Sequence, residues 1–455
     1  MNNTLATTLQ ASNHFATQDK PWAGRELHFI GIGGCGMSGL ALLASHLGAT
    51  VTGADQKESI FTTSLQSDPS ITVTIGHRIE NVPPGAEVVY SSAVREDNPE
   101  RSYARGRGQH ELHRSELIAQ LTQERRTVAV AGAHGKTTTS ALLAHVLTAC
   151  GKDPSYVVGG LMRPPAVHAR AGHSDLLIIE ADESDRSLLN YDVNVAVITN
   201  VDLDHVGDAG GFATRADVAE LLRSFVQGTE CVVTPPSTAV ELGLADALTL
   251  RPDPKGSSGS FDLAGETYRL NLPGEHNVAN ASLVVATALH LGCAPGEIDA
   301  ALASFPGLKR RFELRGSTRG GARVFDDYAH HPVEVAAAIA AARTITAGPV
   351  IAVFQPHLFS RTAQFASEFA SALATADLAV LDDIYPAREF QVQFPDITSR
   401  TIAERAPQVG GRVVYPAHEG ALLDLIHQHA TPDAIVLLIG AGDVGRLCDA
   451  LIQPN

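Results

Sequence analysis

VAVAGAHGKTTTS, residues 128–140, decides the reading of this chain. An apolar run, Val128–Ala131, stops at Gly132, and a helix-forming stretch follows Lys136-Thr137. Strand, glycine loop and helix N-terminus in that order make an anion site, because loop N–H groups and the helix dipole converge on one point. The loop is a shortened Walker form: two residues separate Gly132 from Gly135-Lys136, where the common form has four. Gly132, Ala133, His134, Gly135, Lys136, Thr137 and Thr138 are therefore the expected polyphosphate cradle. Lys136 is placed to reach the β- and γ-phosphates, and Thr137 to offer its hydroxyl to Mg²⁺. The competing reading is an ordinary βα turn that happens to contain Gly-Lys. The apolar strand on one side and the helix on the other disfavour it.

Downstream, Leu176-Leu-Ile-Ile-Glu180 is a buried-strand pattern that ends in carboxylates, Asp182, Glu183 and Asp185. The next strand, Val195–Thr199, runs into Asn200-Val-Asp202-Leu-Asp204-His205. Carboxyl ends of neighbouring parallel strands meet at one crevice in open α/β sheets. Glu180 and His205 are expected to face a Mg²⁺ ion there beside Thr137, with Glu180 the better match to a hard, oxygen-seeking cation. Asp182, Glu183 and Asp185 read as loop acids and helix caps.

Upstream, Gly31-Ile-Gly33-Gly34-Cys35-Gly36 fits GxGxxG between a strand, Leu27–Ile32, and a helix. Asp55 stands 19 residues after Gly36, at the end of the next strand. Alone, this spells a dinucleotide site of a redox enzyme. It equally fits a nucleotide diphosphate sugar. The second loop at 132–139 separates the two, since an NAD enzyme has no use for an ATP-type loop.

The whole chain has 455 residues, 44% of them hydrophobic and 18% charged, as in globular domains. About three domains are expected at that length. The formal charge of −16 argues against a nucleic-acid partner, which needs clustered Lys and Arg. No stretch of apolar residues is long enough for a transmembrane helix, so no membrane partner is expected. Residues 1–24 carry no signal-peptide core and read as a flexible leader. The five cysteines are scattered without a CxxC pair, which fits reduced thiols in a cytoplasmic protein. Strands and helices alternate in three blocks, with expected domains at 25–122, 123–313 and 314–455.

These motifs, in this order, resemble the Mur ligase family of bacterial cell-wall synthesis from about Leu27 to Val444. HFIGIGGCGMSGLA (28–41), YSSAVREDNPE (90–100), AGAHGKTTTS (131–140), EADESD (180–185), TNVDLDH (199–205), GEHNVANA (274–281), KRRFE (309–313), DDYAHHP (326–332), FQPHLFSRT (354–362) and DIYPARE (383–389) carry the resemblance. It implies an α/β chain with a Rossmann-like UDP-binding domain, a central P-loop-type ATPase domain with a mainly parallel sheet, and a Rossmann-like C-terminal domain. It implies ATP-dependent joining of L-alanine to UDP-N-acetylmuramate, with Mg²⁺, through an acyl phosphate. The alternative within the family attaches a recycled peptide to the same sugar. A monomer and a homodimer are both open.

By resemblance, His276, Asn280, Arg311 and Asp327 join the phosphate loop around ATP. Gly33, Gly34, Cys35, Gly36, Met37, Ser38, Asp55, His77, Ser91 and Ser92 match the UDP-sugar positions. Tyr328, His330 and Arg361 match residues that face the acyl group and alanine. Lys136, Glu180, His205, His330 and Arg361 are the implied catalytic set, with Thr137, Glu180 and His205 around the metal. Two departures stand out. Ala133 replaces a threonine of the usual loop, and Leu358 follows His357 where many relatives carry arginine, which leaves Arg361 as the expected anion clamp.

Overall fold

The computed structural model describes residues 20–163, 167–203, 211–255, 259–406 and 412–452. The first unit contains β1 (Glu26–Ile30), α1 (Cys35–His46), β2 (Thr50–Asp55), α2 (Ile60–Gln66), β3 (Ile71–Ile75), β4 (Glu87–Tyr90), α3 (Pro99–Gly106), β5 (Glu111–His113) and α4 (Arg114–Gln123). Its sheet is parallel throughout, in the order β3-β2-β1-β4-β5. The order reverses between β1 and β4, so the glycine loop after β1 opens onto the ligand crevice of this fold type.

The second unit begins with β6 (Arg126–Ala131), α5 (Lys136–Ala149), β7 (Ser155–Met162), β8 (Val167–Arg170), β9 (Leu176–Glu180), β10 (Val195–Ile198), α6 (Arg215–Phe225), β11 (Cys231–Val233) and α7 (Pro236–Leu242). The sheet order is β11-β10-β6-β9-β7-β8, and β8 is its antiparallel member. Val128 to Ala131 are all 0% exposed. Ala129 and Ala131 join one apolar cluster while Val128 and Val130 join the other, as the two-residue period of a doubly covered strand requires. The chain then forms an antiparallel meander, β12 (Asp253–Lys255), β13 (Ser260–Leu263) and β14 (Glu266–Arg269), followed by α8 (Glu275–His290) and α9 (Pro295–Ser304).

The third unit holds β15 (Glu313–Ser317), β16 (Arg323–Asp327), α10 (Pro332–Thr344), β17 (Val350–Phe354), α11 (Phe359–Leu373), β18 (Leu378–Leu381), α12 (Arg400–Ala403), β19 (Val413–Val414), α13 (Glu419–His429), β20 (Ile435–Ile439) and α14 (Leu447–Leu451). Its order is β15-β16-β20-β17-β18-β19, with β15 antiparallel to β16. The expected α/β architecture with three mainly parallel sheets is what the chain adopts.

The first and second units share one apolar cluster. Helix α1 lies on β7 and β8, where Gly39 leaves the space: a Cβ there would stand 2.7 Å from Val157 Cγ1. The second and third units are joined by the segment after α9, whose Lys309 N–H donates to the Leu161 carbonyl at 2.8 Å.

One sequence reading changes. The flexible leader ends before residue 24, because Trp22 is 4% exposed, donates its N–H to Leu47 O at 3.0 Å and lies under the Arg25 guanidinium. An indole that buries this much apolar surface anchors its segment. The helix after the phosphate loop starts at Lys136, where Gly135 at φ 80° turns the chain into it. The polar stretch around 252–262 belongs to the three-stranded sheet.

Candidate active site

The phosphate loop follows β6, which has β10 on one side and β9 on the other. Gly132 has φ 119°, and a Cβ there would come within 2.7 Å of the Asn200 carbonyl oxygen. Both constraints demand glycine. Asn200 pins the loop from β10: its Oδ1 accepts from His134 N–H at 3.0 Å, and its Nδ2 donates to His134 O at 2.8 Å. Thr199 Oγ1 donates to the same carbonyl at 2.7 Å.

Lys136 Nζ donates to Gly132 O at 2.7 Å and lies 3.0 Å from Glu183 Oε2. Burial opposes its charge, yet Glu183, Asp182 and Glu180 outweigh it and hold the ammonium above its ordinary pKa. Glu183, read from sequence as a loop acid, is 2% exposed and is the lysine's ion-pair partner. Thr137 Oγ1 donates to Glu180 Oε1 at 3.0 Å, and Gly159 N–H donates to Glu180 Oε2 at 2.9 Å. Burial pushes the Glu180 carboxyl up, against the pull of Lys136 and Thr137. A hydroxyl and a carboxylate that converge in this way fit a hard cation such as Mg²⁺. His205 lies outside the described residues.

Seven of the expected nucleotide residues come together in one pocket of about 310 Å³, while Ala133, Lys136 and Thr137 line the larger cavity where the three units meet. His134, Gly135, Thr138, His276, Asn280, Arg311 and Asp327 line it, with an apolar wall that includes Leu272, Leu283, Phe305 and Leu308. Asp327 Oδ2 accepts from Phe312 N–H at 2.7 Å, and Oδ1 accepts from Ala329 N–H at 2.8 Å. Burial pushes its carboxyl up to about 6, although Arg311 and these amides favour the anion.

A larger cavity of about 800 Å³ opens where the three units meet. The first unit contributes Cys35, Ile60 and Phe61, and the second contributes Lys136, Thr137 and Glu180. Tyr328 and His330 enter from the third, while Lys309, Arg310 and Arg315 bring cations that the sequence reading did not single out. The signal for them was the KRRFE run, read there as a family marker with only Arg311 assigned. His330 Nδ1 lies 3.0 Å from Tyr328 O, and its N–H donates to Glu334 Oε2 at 3.0 Å. Despite burial, His330, His134 and Arg311 hold Glu334 well below the carboxylate range. Arg361, in the first turn of α11, does not line this cavity. It faces His357, whose ring is 6.1 Å from that of His330. Burial, His330, Arg361 and Arg388 together push His357 down to about 4. Leu358 is 6% exposed and sits at φ 70°.

The first glycine loop is built differently from the expectation. Asp55 turns back on the loop: Oδ2 accepts from Gly33 N–H at 2.9 Å, and Oδ1 from Lys57 N–H at 3.3 Å. In this structure the Asp55 carboxylate braces the loop through its own amides. Ser38 is 0% exposed and meets His168 Nε2 at 2.8 Å across the interface with the second unit, and Met37 is 3% exposed in the core. Both are interface residues rather than lining of an open site, because positions 37 and 38 fall on the face of α1 that is pressed against the core. Gly33, Gly34, Cys35 and Gly36 remain at the loop, and Arg114 Nη1 would be 3.0 Å from a Cβ on Gly36. Arg114, which the sequence reading did not single out, thus places a cation over the loop. His77 Nδ1 lies 3.0 Å from Glu100 Oε2, and Ser92 Oγ 3.1 Å from His113 Nε2. Ser91 is half-buried just past β4.

All five cysteines are free thiols, and among the described residues no helix is long and apolar enough to cross a membrane.

Three family models match the chain in succession: the Mur ligase family catalytic domain over 26–126, the Mur ligase middle domain over 130–236, and the Mur ligase glutamate ligase domain over 310–442. The UDP-N-acetylmuramate–L-alanine ligase of Renibacterium salmoninarum is 40% identical, over 94% of this chain and 96% of its own. That of Paenarthrobacter aurescens is 41% identical with the same coverage. Among solved structures, the UDP-N-acetylmuramate–alanine ligase of Thermotoga maritima superposes with a TM-score of 0.77 at 27% identity, covering 93% of this chain and 97% of that one. The murein peptide ligase of Psychrobacter arcticus shares the fold, with a TM-score of 0.67 at 22% identity over 95% of this chain and 100% of its own.

Proposed function

The chain belongs to the Mur ligase family, and on that premise we propose that it joins L-alanine to UDP-N-acetylmuramate, with ATP converted to ADP and phosphate. The observation that carries this is the cavity between the three units, where Cys35 of the first glycine loop, Lys136 of the phosphate loop and Tyr328 and His330 of the third unit face one space. Three substrates that must react together need such a meeting point.

A carboxylate is a poor acyl donor. Its oxygen therefore attacks the γ-phosphorus of ATP, and the acyl phosphate formed is then open to attack by the neutral amine of alanine, with phosphate as the leaving group. The loop amides, the α5 N-terminus and Lys136 stabilise the charge spread over the transferring phosphoryl group. Thr137 and Glu180 are the described residues that would hold Mg²⁺, which supplies further neutralisation of the polyphosphate when bound. His276, Asn280, Arg311 and Asp327 hold the nucleoside end of ATP. The loop at Gly33–Gly36, backed by Asp55 and overlooked by Arg114, receives the UDP diphosphate, with His77, Ser91 and Ser92 at the same carboxyl edge of the sheet. Closure of the third unit brings Arg361 to the alanine carboxylate, and His330, already in the cavity, orients the amine. Enclosure between three units excludes water from the acyl phosphate. The substrates and the five free thiols support a cytoplasmic site of action.

Phosphate release with ATP and UDP-N-acetylmuramate tests this, with L-alanine, glycine, L-serine and a tripeptide compared as acceptors. L-Alanine is expected to drive turnover. Turnover with the tripeptide alone would select the recycling ligase, and no turnover with any acceptor would remove the ligase reading.

A further inference from the structure

Beside the nucleotide pocket, three potential metal ligands from separate segments converge. His134 belongs to the phosphate loop, Asp202 follows β10, and His331 precedes α10 in the third unit. One ligand atom from each lies within 4.8 Å of the others. His134 Nε2 is 3.2 Å from Asp202 Oδ2, and the two imidazole centroids are 4.8 Å apart. His331 is 5% exposed.

We propose that His134, Asp202 and His331 bind a divalent first-row transition ion such as Zn²⁺, which clamps the third unit to the phosphate loop. Two imidazoles and one carboxylate suit Zn²⁺, Co²⁺ or Ni²⁺, whereas Mg²⁺ selects oxygen donors. The Thr137–Glu180 pair offers oxygens only, so the two sites divide by donor chemistry. Glu334 Oε1 stands 3.5 Å from His134 Nδ1, on the side away from Asp202. A carboxylate behind the imidazole fixes its orientation and raises its basicity toward a metal.

His134 Nε2 and Asp202 Oδ2 already stand at the separation that a bound ion needs, and the set of three closes only to within 4.8 Å. With metal–ligand bonds of about 2.0 Å, tetrahedral donors stand roughly 3.3 Å apart. Binding therefore draws His331, and the third unit with it, toward the loop. The fourth position is left to water or to a ligand in the pocket that His134 and Asp202 also line.

The test is calorimetric titration of the full chain with Zn²⁺, free of nucleotide and sugar, in excess Mg²⁺. One equivalent is expected to bind, with affinity at least about tenfold weaker in His331→Gln and in Asp202→Asn. Glu180→Gln is expected to leave zinc affinity unchanged, and Zn²⁺ is expected to raise the Tm of the wild type but not of His331→Gln. Absence of saturable binding, wild-type affinity in both variants, or loss in Glu180→Gln instead would each overturn the proposal. Should His331→Gln fail to fold, Asp202→Asn decides, because that carboxylate is 30% exposed and tolerates replacement. The titration involves no substrate, so its failure leaves the ligase reading untouched.

Discussion

The ammonium of Lys136 lies 3.0 Å from Glu183 Oε2 and 2.7 Å from the carbonyl oxygen of its own Gly132. The residue assigned to the γ-phosphate is thus held inside the loop by a buried carboxylate. ATP phosphates then take over a cation that is already placed, and the lysine has two separable roles, one in charge stabilisation and one in packing.

Lys136→Ala is expected to lower turnover about 10²–10³-fold or more, as for loss of a placed transition-state donor. UDP-sugar binding should stay near normal, since that loop belongs to a different sheet. The same change leaves Glu183 buried without its ammonium, at a cost of about 3–5 kcal/mol. Lys136→Ala/Glu183→Gln should therefore recover much of the Tm while remaining inactive. Phosphate release, calorimetry with UDP-N-acetylmuramate and thermal melts check the three parts. Recovery of turnover in the double variant would refute the division.

Much of this was legible beforehand for a physical reason. The loop at 132–138 is a local object: strand, glycines and helix start are contiguous, so sequence alone displays them. The partners of that loop are not contiguous. Asn200 and Glu183 reach it only through tertiary packing, as Arg114 reaches the first glycine loop and Lys309, Arg310 and Arg315 reach the larger cavity; the KRRFE run marks its segment without saying which cations face that cavity. Asp55 and Ser38 show the opposite limit. Their positions fit a ligand-binding motif, but one side chain is consumed by the loop's own amide and the other by His168 across an interface.

Asp327 gives a pH signature. Its folded pKa of about 6 lies above the ordinary value of 3.8, so the native state binds the proton more tightly than the unfolded chain. The stability contributed by this proton is complete below about pH 4 and is lost as pH rises through 6. Comparing wild type with Asp327→Asn by chemical denaturation, the wild type should gain roughly 1–2 kcal/mol relative to the variant between pH 7 and pH 5. A difference that is flat with pH would show that Asp327 does not titrate in this range.

Arg361 and Leu358 should separate chemistry from packing. Arg361→Ala is expected to lower turnover at least about 100-fold and to raise KM for alanine, because the arginine carries the carboxylate contact without help from position 358. Leu358→Ala should instead cost about 2–5 kcal/mol of stability, as a buried leucine does, with the chemistry largely kept. Steady-state kinetics beside thermal melts distinguish the two. Similar small kinetic effects in both variants would remove Arg361 from the site.

Gly135→Ala should abolish ATP binding at little gain elsewhere. Its φ is 80°, and the added Cβ would lie 2.6 Å from Asn280 Oδ1 in the nucleotide pocket. Strain of about 1–3 kcal/mol is expected in addition. Fluorescent-nucleotide titration checks it, and undisturbed affinity would place the nucleotide away from this loop.

The central claim is that the muramate carboxylate is activated by phosphorylation before alanine attacks. Isotope transfer tests it directly. With ¹⁸O in both oxygens of the lactyl carboxylate, one turnover should deliver one labelled oxygen to inorganic phosphate and keep the other in the new amide, read by mass spectrometry of both products. Phosphate that carries no label would contradict the account.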